Sequence, residues 1–125
     1  MERVTGIGGV FFRSKDPDAL GRWYAEHLGL DLEAGSAAVS VFGWPATGGQ
    51  TVWSAFAHDT GYFGPSGQQH MVNYRVSDLD AMLAQLRAAG VPVEDRVEDT
   101  EFGRFAWATD PDGNRFELWQ PPAGS

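Results

Sequence analysis

The sequence predicts an α+β protein built from two tandem modules, each with the order strand, helix and three strands. Two observations support a duplication. The segment "DPDAL" at residue 16 is similar to "DLDAM" at residue 78, and the glycines that end the two predicted helices, Gly29 and Gly90, are 61 residues apart. Because internal repetition is typical of a duplicated supersecondary unit, we expect the two modules to pair and to leave a cleft between their uncovered faces.

The first module is predicted over about residues 5–58. The apolar run "IGGVFFRS" predicts its first strand, and a helix is predicted from the N-cap residue Asp16 to Gly29. Residues 30–32 predict a short strand, and "AAVSVFGW" and "TVWSAFAH" predict two longer ones. The last two strands are expected to be joined by a turn that contains Pro45 and two glycines.

The second module is predicted over about residues 70–121. "HMVNYRVS" predicts a strand, and a helix is predicted from the N-cap residue Asp78 to Gly90. "VPVEDRV", "GRFAWAT" and "NRFELWQ" predict three strands, of which the last two are joined by the turn "DPDG".

A turn-rich aromatic linker at residues 59–69 separates the two modules. Its segment "GYFGPSG" has two interpretations. It can be a flap whose Tyr62 and Phe63 close over a ligand, or a connector whose rings pack down onto the body of the protein. The sequence leaves both open.

Composition and charge exclude several classes of function. The chain has no Cys, so disulfides and thiolate chemistry are excluded. No apolar run approaches the roughly 18 residues that a membrane span needs, and the first residues do not have the pattern of a signal peptide, so we expect a cytoplasmic protein. A net charge of −8, with nine basic residues scattered among seventeen acidic ones, argues against binding to nucleic acid and permits a cationic ligand.

The segments "KDPDALGRWYAEHLGL", "VSDLDAMLAQLRAAGV" and "DPDGNRFELWQP", in this order, resemble the vicinal oxygen chelate superfamily over about residues 5–121. This superfamily contains glyoxalase I, extradiol dioxygenases and bleomycin-resistance proteins. The resemblance implies that residues 1–125 form a single glyoxalase-like domain, with an open, curved mixed sheet around a cleft. Members commonly form homodimers, so the resemblance also implies a homodimer.

Metal-dependent members of this superfamily take ligands, usually His or Glu, from four strand positions. In this sequence the resemblance places those positions at Gly9, Ser54, Met71 and Glu117, of which the first three are poor ligands for a divalent metal. His70 lies one residue before position 71, so strand alternation points it away from the cleft unless a bulge turns it. We expect no catalytic metal or other cofactor, while His70 or His58 as a substitute ligand stays an alternative.

Strand alternation also predicts which side chains face the cleft. Aromatic rings and Met would supply apolar contact, while Arg, Asn and Glu would orient a small organic ligand. Glu117 can instead form an internal ion pair with Arg13 or Arg75. The predicted ligand-binding residues are Phe11, Arg13, Ser54, Met71, Asn73, Arg75, Glu117 and Trp119.

The sequence therefore predicts a glyoxalase or bleomycin-resistance type of protein that binds a small organic molecule in its cleft without a catalytic metal. The alternative is an enzyme of the same superfamily, a lyase, an isomerase or an extradiol-dioxygenase-like protein. In that case Glu117 would be the catalytic residue, as a base, or a ligand of a divalent metal. Whether the protein is an enzyme is left open.

Overall fold

The computed structural model describes residues 1–44, 46, 48–65 and 67–124. Over these residues the chain forms seven strands and two helices. In chain order they are β1 (Val4–Ser14), α1 (Pro17–Leu28), β2 (Val39–Trp44), β3 (Gly49–Ala57), β4 (His70–Val76), α2 (Leu79–Ala88), β5 (Glu98–Thr100), β6 (Gly103–Thr109) and β7 (Arg115–Gln120).

All seven strands described belong to one mixed sheet with the order β2-β3-β1-β4-β7-β6-β5. The central strands β1 and β4 are antiparallel, and each has a parallel neighbour on its outer side, β3 and β7 respectively. The remaining neighbours are antiparallel. Read outward from the centre, the three inner strands of each half have the same arrangement, and the second half adds β5 at its edge; the sheet is open and curved. The predicted α+β fold class is confirmed.

Both helices begin where the sequence predicts. The side chain of Asp16 accepts a hydrogen bond from the backbone N–H of Ala19 at 3.1 Å, and Asp78 accepts one from Ala81 at 3.0 Å. These bonds satisfy N–H groups that have no partner within the helix. At the other end of α1, Gly29 has a φ of 71°, a left-handed conformation that a residue without Cβ adopts at little cost.

Two predicted strands are wrong. Residues 91–97 form no strand, and only Val93 makes an isolated bridge, to Ala108. Pro92 has no N–H to donate, so it interrupts a ladder, and the strand of this region lies later, at Glu98–Thr100. Residues 30–32 likewise contribute a single bridge, at Leu32, because the chain turns back directly after it, with Ser36 N–H donating to the carbonyl of Glu33 at 3.1 Å. Pro45, predicted in the turn before β3, lies outside the described residues.

The two faces of the second half of the sheet bury different groups. One face packs against α2 in an apolar cluster, in which Leu79 and Leu118 are at most 1% exposed. Because side chains alternate along a strand, the neighbour Glu117 points to the opposite face, where the cleft lies. The apolar cluster consists of Val76, Leu79, Met82, Leu83, Ala106 and Leu118.

Neither of the helices described is long and apolar enough to cross a membrane.

Candidate functional site

A cleft of about 600 Å³ opens on the face of the sheet opposite α2. Its walls come from both halves of the sheet and from the linker. Aromatic rings and three valines make up half of the described lining residues, and carboxylates, two amides, two hydroxyls and a guanidinium supply the polar groups. The rings belong to Phe11, Phe56, Tyr62, Phe102, Phe105 and Trp119, and the valines are Val39, Val41 and Val52.

A second cavity of about 660 Å³ lies beside Thr5, Trp44 and Gln120. It shares Arg75 with the cleft, and no carboxylate side chain is among its described lining residues. We take the first cleft as the candidate site because it contains a buried carboxylate. Removing a carboxylate from water is costly, and such groups are concentrated at functional sites.

That carboxylate is Glu117, which is 1% exposed. Its Oε1 accepts a hydrogen bond from Asn73 Nδ2 at 2.6 Å. Its Oε2 accepts from Trp107 Nε1 at 2.9 Å and from the hydroxyl of Tyr62. The three donors come from β4, β6 and the linker, so the carboxylate joins two strands of the sheet to the segment that covers them. Such charge-assisted hydrogen bonds offset part of the desolvation cost.

The environment of Glu117 perturbs its protonation. Burial raises the pKa of the Glu117 carboxyl, whereas the hydrogen bonds from Tyr62, Asn73 and Trp107 act in the opposite direction. Burial and the adjacent carboxylate also raise the pKa of the Tyr62 hydroxyl, which therefore stays protonated and remains a donor. The cleft floor thus holds a proton acceptor whose affinity for a proton is higher than that of an exposed glutamate.

The ion pair with Arg13 or Arg75, one of the alternatives that the sequence left open for Glu117, is not formed. Among the described residues, no salt bridge joins Glu117 to Arg13 or Arg75. Arg13 instead donates to the carbonyls of His58 and Thr60, at 2.8 and 2.9 Å, because the linker folds over it. The guanidinium of Arg75 lies 5.6 Å from the ring centre of Trp119.

Burial raises the pKa of Glu117, and the positive charge that acts against this rise is that of Arg115. Its guanidinium donates to both carboxylate oxygens of Glu94, at 2.6 and 3.0 Å, and also to the carbonyl of Tyr62. Arg115 therefore fixes the linker next to the carboxylate, and the sequence interpretation missed this role.

The structure places six of the eight predicted ligand-binding residues in the cleft and two outside it. Arg13 lies under the linker, with its guanidinium 5.1 Å from the ring centre of Phe63. Met71 packs in a buried cluster with Phe63 and Trp107. Both were predicted from strand alternation, which gives the correct face but cannot show that the linker covers that end of the sheet. The six that line the cleft are Phe11, Ser54, Asn73, Arg75, Glu117 and Trp119, and their ligand-binding role stays a prediction.

The two rings of the linker are placed differently. Phe63 is fully buried and packs down, as expected of a connector. Tyr62 lines the cleft and bonds to Glu117, and its role as a flap over a ligand stays a prediction. The sequence interpretation also missed Trp107, which pairs directly with Glu117 in the register of β6 and β7. The signal for it was the short "DPDG" turn, which fixes that register.

The residues present do not fit a divalent metal. Of the four ligand positions, only Glu117 has a suitable side chain, and both of its oxygens already accept hydrogen bonds. In the part of the chain that the structure describes, no group of three or more His, Cys, Asp or Glu side chains could hold a metal. His70 is exposed and its ring packs edge-on against Phe12 at 5.1 Å, and His58 is exposed as well.

Comparisons with known proteins agree with this architecture. Residues 9–119 match the family described as a glyoxalase-like domain. Methylmalonyl-CoA epimerase from Mycobacterium tuberculosis has 26% identity and a TM-score of 0.68, with 95% of this chain and 89% of the epimerase covered. No curated protein matches the chain.

Two further solved structures are similar at lower identity, and they support the fold alone. A variant of the Streptomyces coelicolor methylmalonyl-CoA epimerase, in complex with 2-nitronate-propionyl-CoA, has 20% identity and a TM-score of 0.74, with 97% of this chain and 100% of that chain covered. A catechol 2,3-dioxygenase has 22% identity and a TM-score of 0.64, with 98% of this chain but only 41% of the dioxygenase covered.

Proposed function

Because this chain belongs to the glyoxalase-like domain family, within the vicinal oxygen chelate superfamily, we propose that it binds a small organic molecule in its cleft without a catalytic metal. The observation that carries this proposal is the state of Glu117. In a metal-dependent site this carboxylate would be free to coordinate, whereas here three protein donors hold it. The function is therefore of the bleomycin-resistance type, in which the fold serves binding.

The cleft wall has the composition of a site for an organic ligand. Phe11, Phe105 and Trp119 supply flat apolar surfaces from three different strands, and Val41 and Val52 add apolar surface from β2 and β3. Burial of apolar ligand area against such a wall contributes about 25 cal/mol per Å² before the cost of association is subtracted. Ser54 and Asn73 add polar groups that can orient the ligand.

Binding is testable with a neutral aromatic probe, 2-naphthalenemethanol, followed by isothermal titration calorimetry. We expect saturable binding that a chelator such as EDTA leaves unchanged, in protein that elemental analysis shows to contain no stoichiometric metal. Stoichiometric metal whose removal abolishes binding would overturn the proposal.

Two neighbouring substitutions on β2 show whether the probe occupies the cleft. Val41→Trp places a large ring in the cleft and should weaken binding at least about tenfold. Phe42→Trp is the matched control, because Phe42 points to the opposite face and is exposed. Equal affinity in both variants would place the probe elsewhere.

A second candidate function is metal-free proton transfer with Glu117 as the base. The observation in its favour is the raised pKa of this buried carboxyl at the cleft floor, which is typical of catalytic acids and bases. The similarity to an epimerase is consistent with it. Against it, the three donors that hold the carboxylate reduce its availability to a substrate, and the acidic residues Glu33 and Glu101 in the lining disfavour the phosphates of a CoA ester.

Incubation with methylmalonyl-CoA in deuterated water separates the two functions. A base at Glu117 would exchange the proton next to the thioester, and Glu117→Gln would abolish the exchange. Binding alone predicts no exchange in either protein.

A further inference from the structure

The cleft carries more negative than positive side chains. Three carboxylates line it, those of Glu33, Glu101 and Glu117, whereas the described lining contains a single basic side chain, the guanidinium of Arg75. Glu33 and Glu101 are exposed, so they are hydrated in the free protein, while Glu117 is buried at the floor. Carboxylates beside low-dielectric walls focus a negative potential into the cleft and favour ligands of opposite charge.

The aromatic lining of the cleft also favours a positively charged ligand. The faces of aromatic rings are negative and attract cations within about 6 Å of the ring centre. This cleft already contains one such contact, because Arg75 lies over Trp119 at 5.6 Å. Phe102, which follows Glu101 directly, is 66% exposed and offers a ring next to a carboxylate.

A third, independent observation concerns the hydrogen-bonding groups. Asn73 is 2% exposed, and its Oδ1 is the one buried side-chain oxygen or nitrogen without a hydrogen-bond partner among the described residues. Its Nδ2 is already used by Glu117, so the orientation of the amide is fixed with the oxygen as a free acceptor. An unsatisfied acceptor in a buried position destabilises the protein and is satisfied by any donor that reaches it.

The surroundings of this oxygen show where a donor would approach. Gly8, which also lines the cleft, lies against it so closely that an added Cβ would be 2.2 Å from Oδ1 and 2.7 Å from the ring of Trp119. Any other residue at position 8 would therefore block the amide oxygen. The ring of Trp119 lies beside the same space, so the indole of Trp119 can report a donor that reaches Oδ1.

From these three observations we infer that the ligand is an organic cation, an ammonium group on an apolar body that carries a ring. An ammonium has N–H donors and no acceptor, so it complements both the carboxylates and the unpaired amide oxygen. The inference rests on the proposed binding function and adds the chemical class of the ligand.

Three probes with the same naphthalene body test the charge. They are 2-naphthylmethylamine, which is a cation at neutral pH, 2-naphthalenemethanol, which is neutral, and 2-naphthoate, which is an anion. We expect calorimetry to show that the amine binds about tenfold more tightly than the alcohol, and that the anion binds most weakly. The indole N–H resonance of Trp119 should shift with the amine.

The outcomes separate the two proposals. If the alcohol or the anion binds as tightly as the amine, the inference of a cationic ligand is wrong while the binding function stands. If none of the three binds at millimolar concentration, the small-molecule function itself is contradicted.

Substitutions of the two exposed carboxylates show whether the preference for the amine arises in the cleft. Glu101→Gln and Glu33→Gln each remove one charge from the cleft and should each reduce the preference for the amine about threefold, because exposed charges interact through water. Glu26→Gln on α1 removes the same charge from an exposed position outside the cleft lining and should leave the preference unchanged. An equal effect of all three would show that only the net charge of the protein matters.

Discussion

The two halves of the sheet have the same arrangement in their three inner strands but bury their side chains differently. In the second half, α2 buries Leu79, Met82 and Leu83 against the sheet. In the first half, α1 buries only Gly21 among its residues, while Leu28 is 68% exposed. The shared arrangement therefore does not imply a shared role in stability, and the second half holds the tighter apolar core.

The two halves of the sheet also contribute different groups to the candidate site. Asn73, Trp107 and Glu117, which form the hydrogen-bonded floor, all belong to the second half, and Tyr62 reaches them from the linker. The first half contributes mainly apolar wall, such as Val41 and Val52. A polar cluster needs fixed geometry to remain satisfied after burial, and the half with the better-packed helix supplies it.

The largest expected effect is on the free energy of unfolding, when a leucine is shortened in each of the two helices. Leu79→Ala should lower the free energy of unfolding by about 2–5 kcal/mol, because it leaves a cavity in the cluster against α2. Leu28→Ala, the same change at an exposed position on α1, should change it by less than about 0.5 kcal/mol. Urea denaturation measures both. Equal losses would show that the two halves are packed alike.

The next effect concerns the floor of the cleft. Glu117→Gln replaces one acceptor oxygen by an NH₂ group, which faces N–H or O–H donors that then have no acceptor. We expect a loss of about 1–3 kcal/mol for each donor left unsatisfied, measured by urea denaturation. Glu26→Gln is the control, since Glu26 is exposed on α1. If Glu117→Gln is as stable as the control, the three hydrogen bonds do not hold the site together.

The smallest expected effect is the dependence of the free energy of unfolding on pH. Burial raises the pKa of Glu117, so the folded protein keeps this proton at pH values where the unfolded chain has lost it. Stability from this group is therefore highest below the ordinary glutamate pKa and falls as the pH rises through the raised value. Since Gln does not titrate, the stability advantage of the native protein over Glu117→Gln should shrink from acid to neutral pH. An advantage that grows with pH would contradict the raised pKa.

Much of the fold was predictable because its signals are local. Asp16 and Asp78 bond to N–H groups three residues ahead, and Gly29 ends its helix through its own φ angle, so short segments specify both helix starts and one helix end. The failure at residues 91–97 has the opposite origin. The pattern there is apolar enough for a strand, but Pro92 and the pairing partner decide where the ladder forms.

The sequence by itself determined the fold class, the starts of both helices, and the position of Glu117 on the cleft face, since helix caps, turns and strand alternation depend on neighbouring residues. Only the tertiary structure decided the chemistry of that carboxylate. Tyr62 is 55 residues away in sequence and Asn73 is 44, and their distance from Glu117 depends on how the linker docks and how β4 pairs with β7. Long-range docking and strand pairing, which no local pattern encodes, surround this carboxylate with three hydrogen-bond donors.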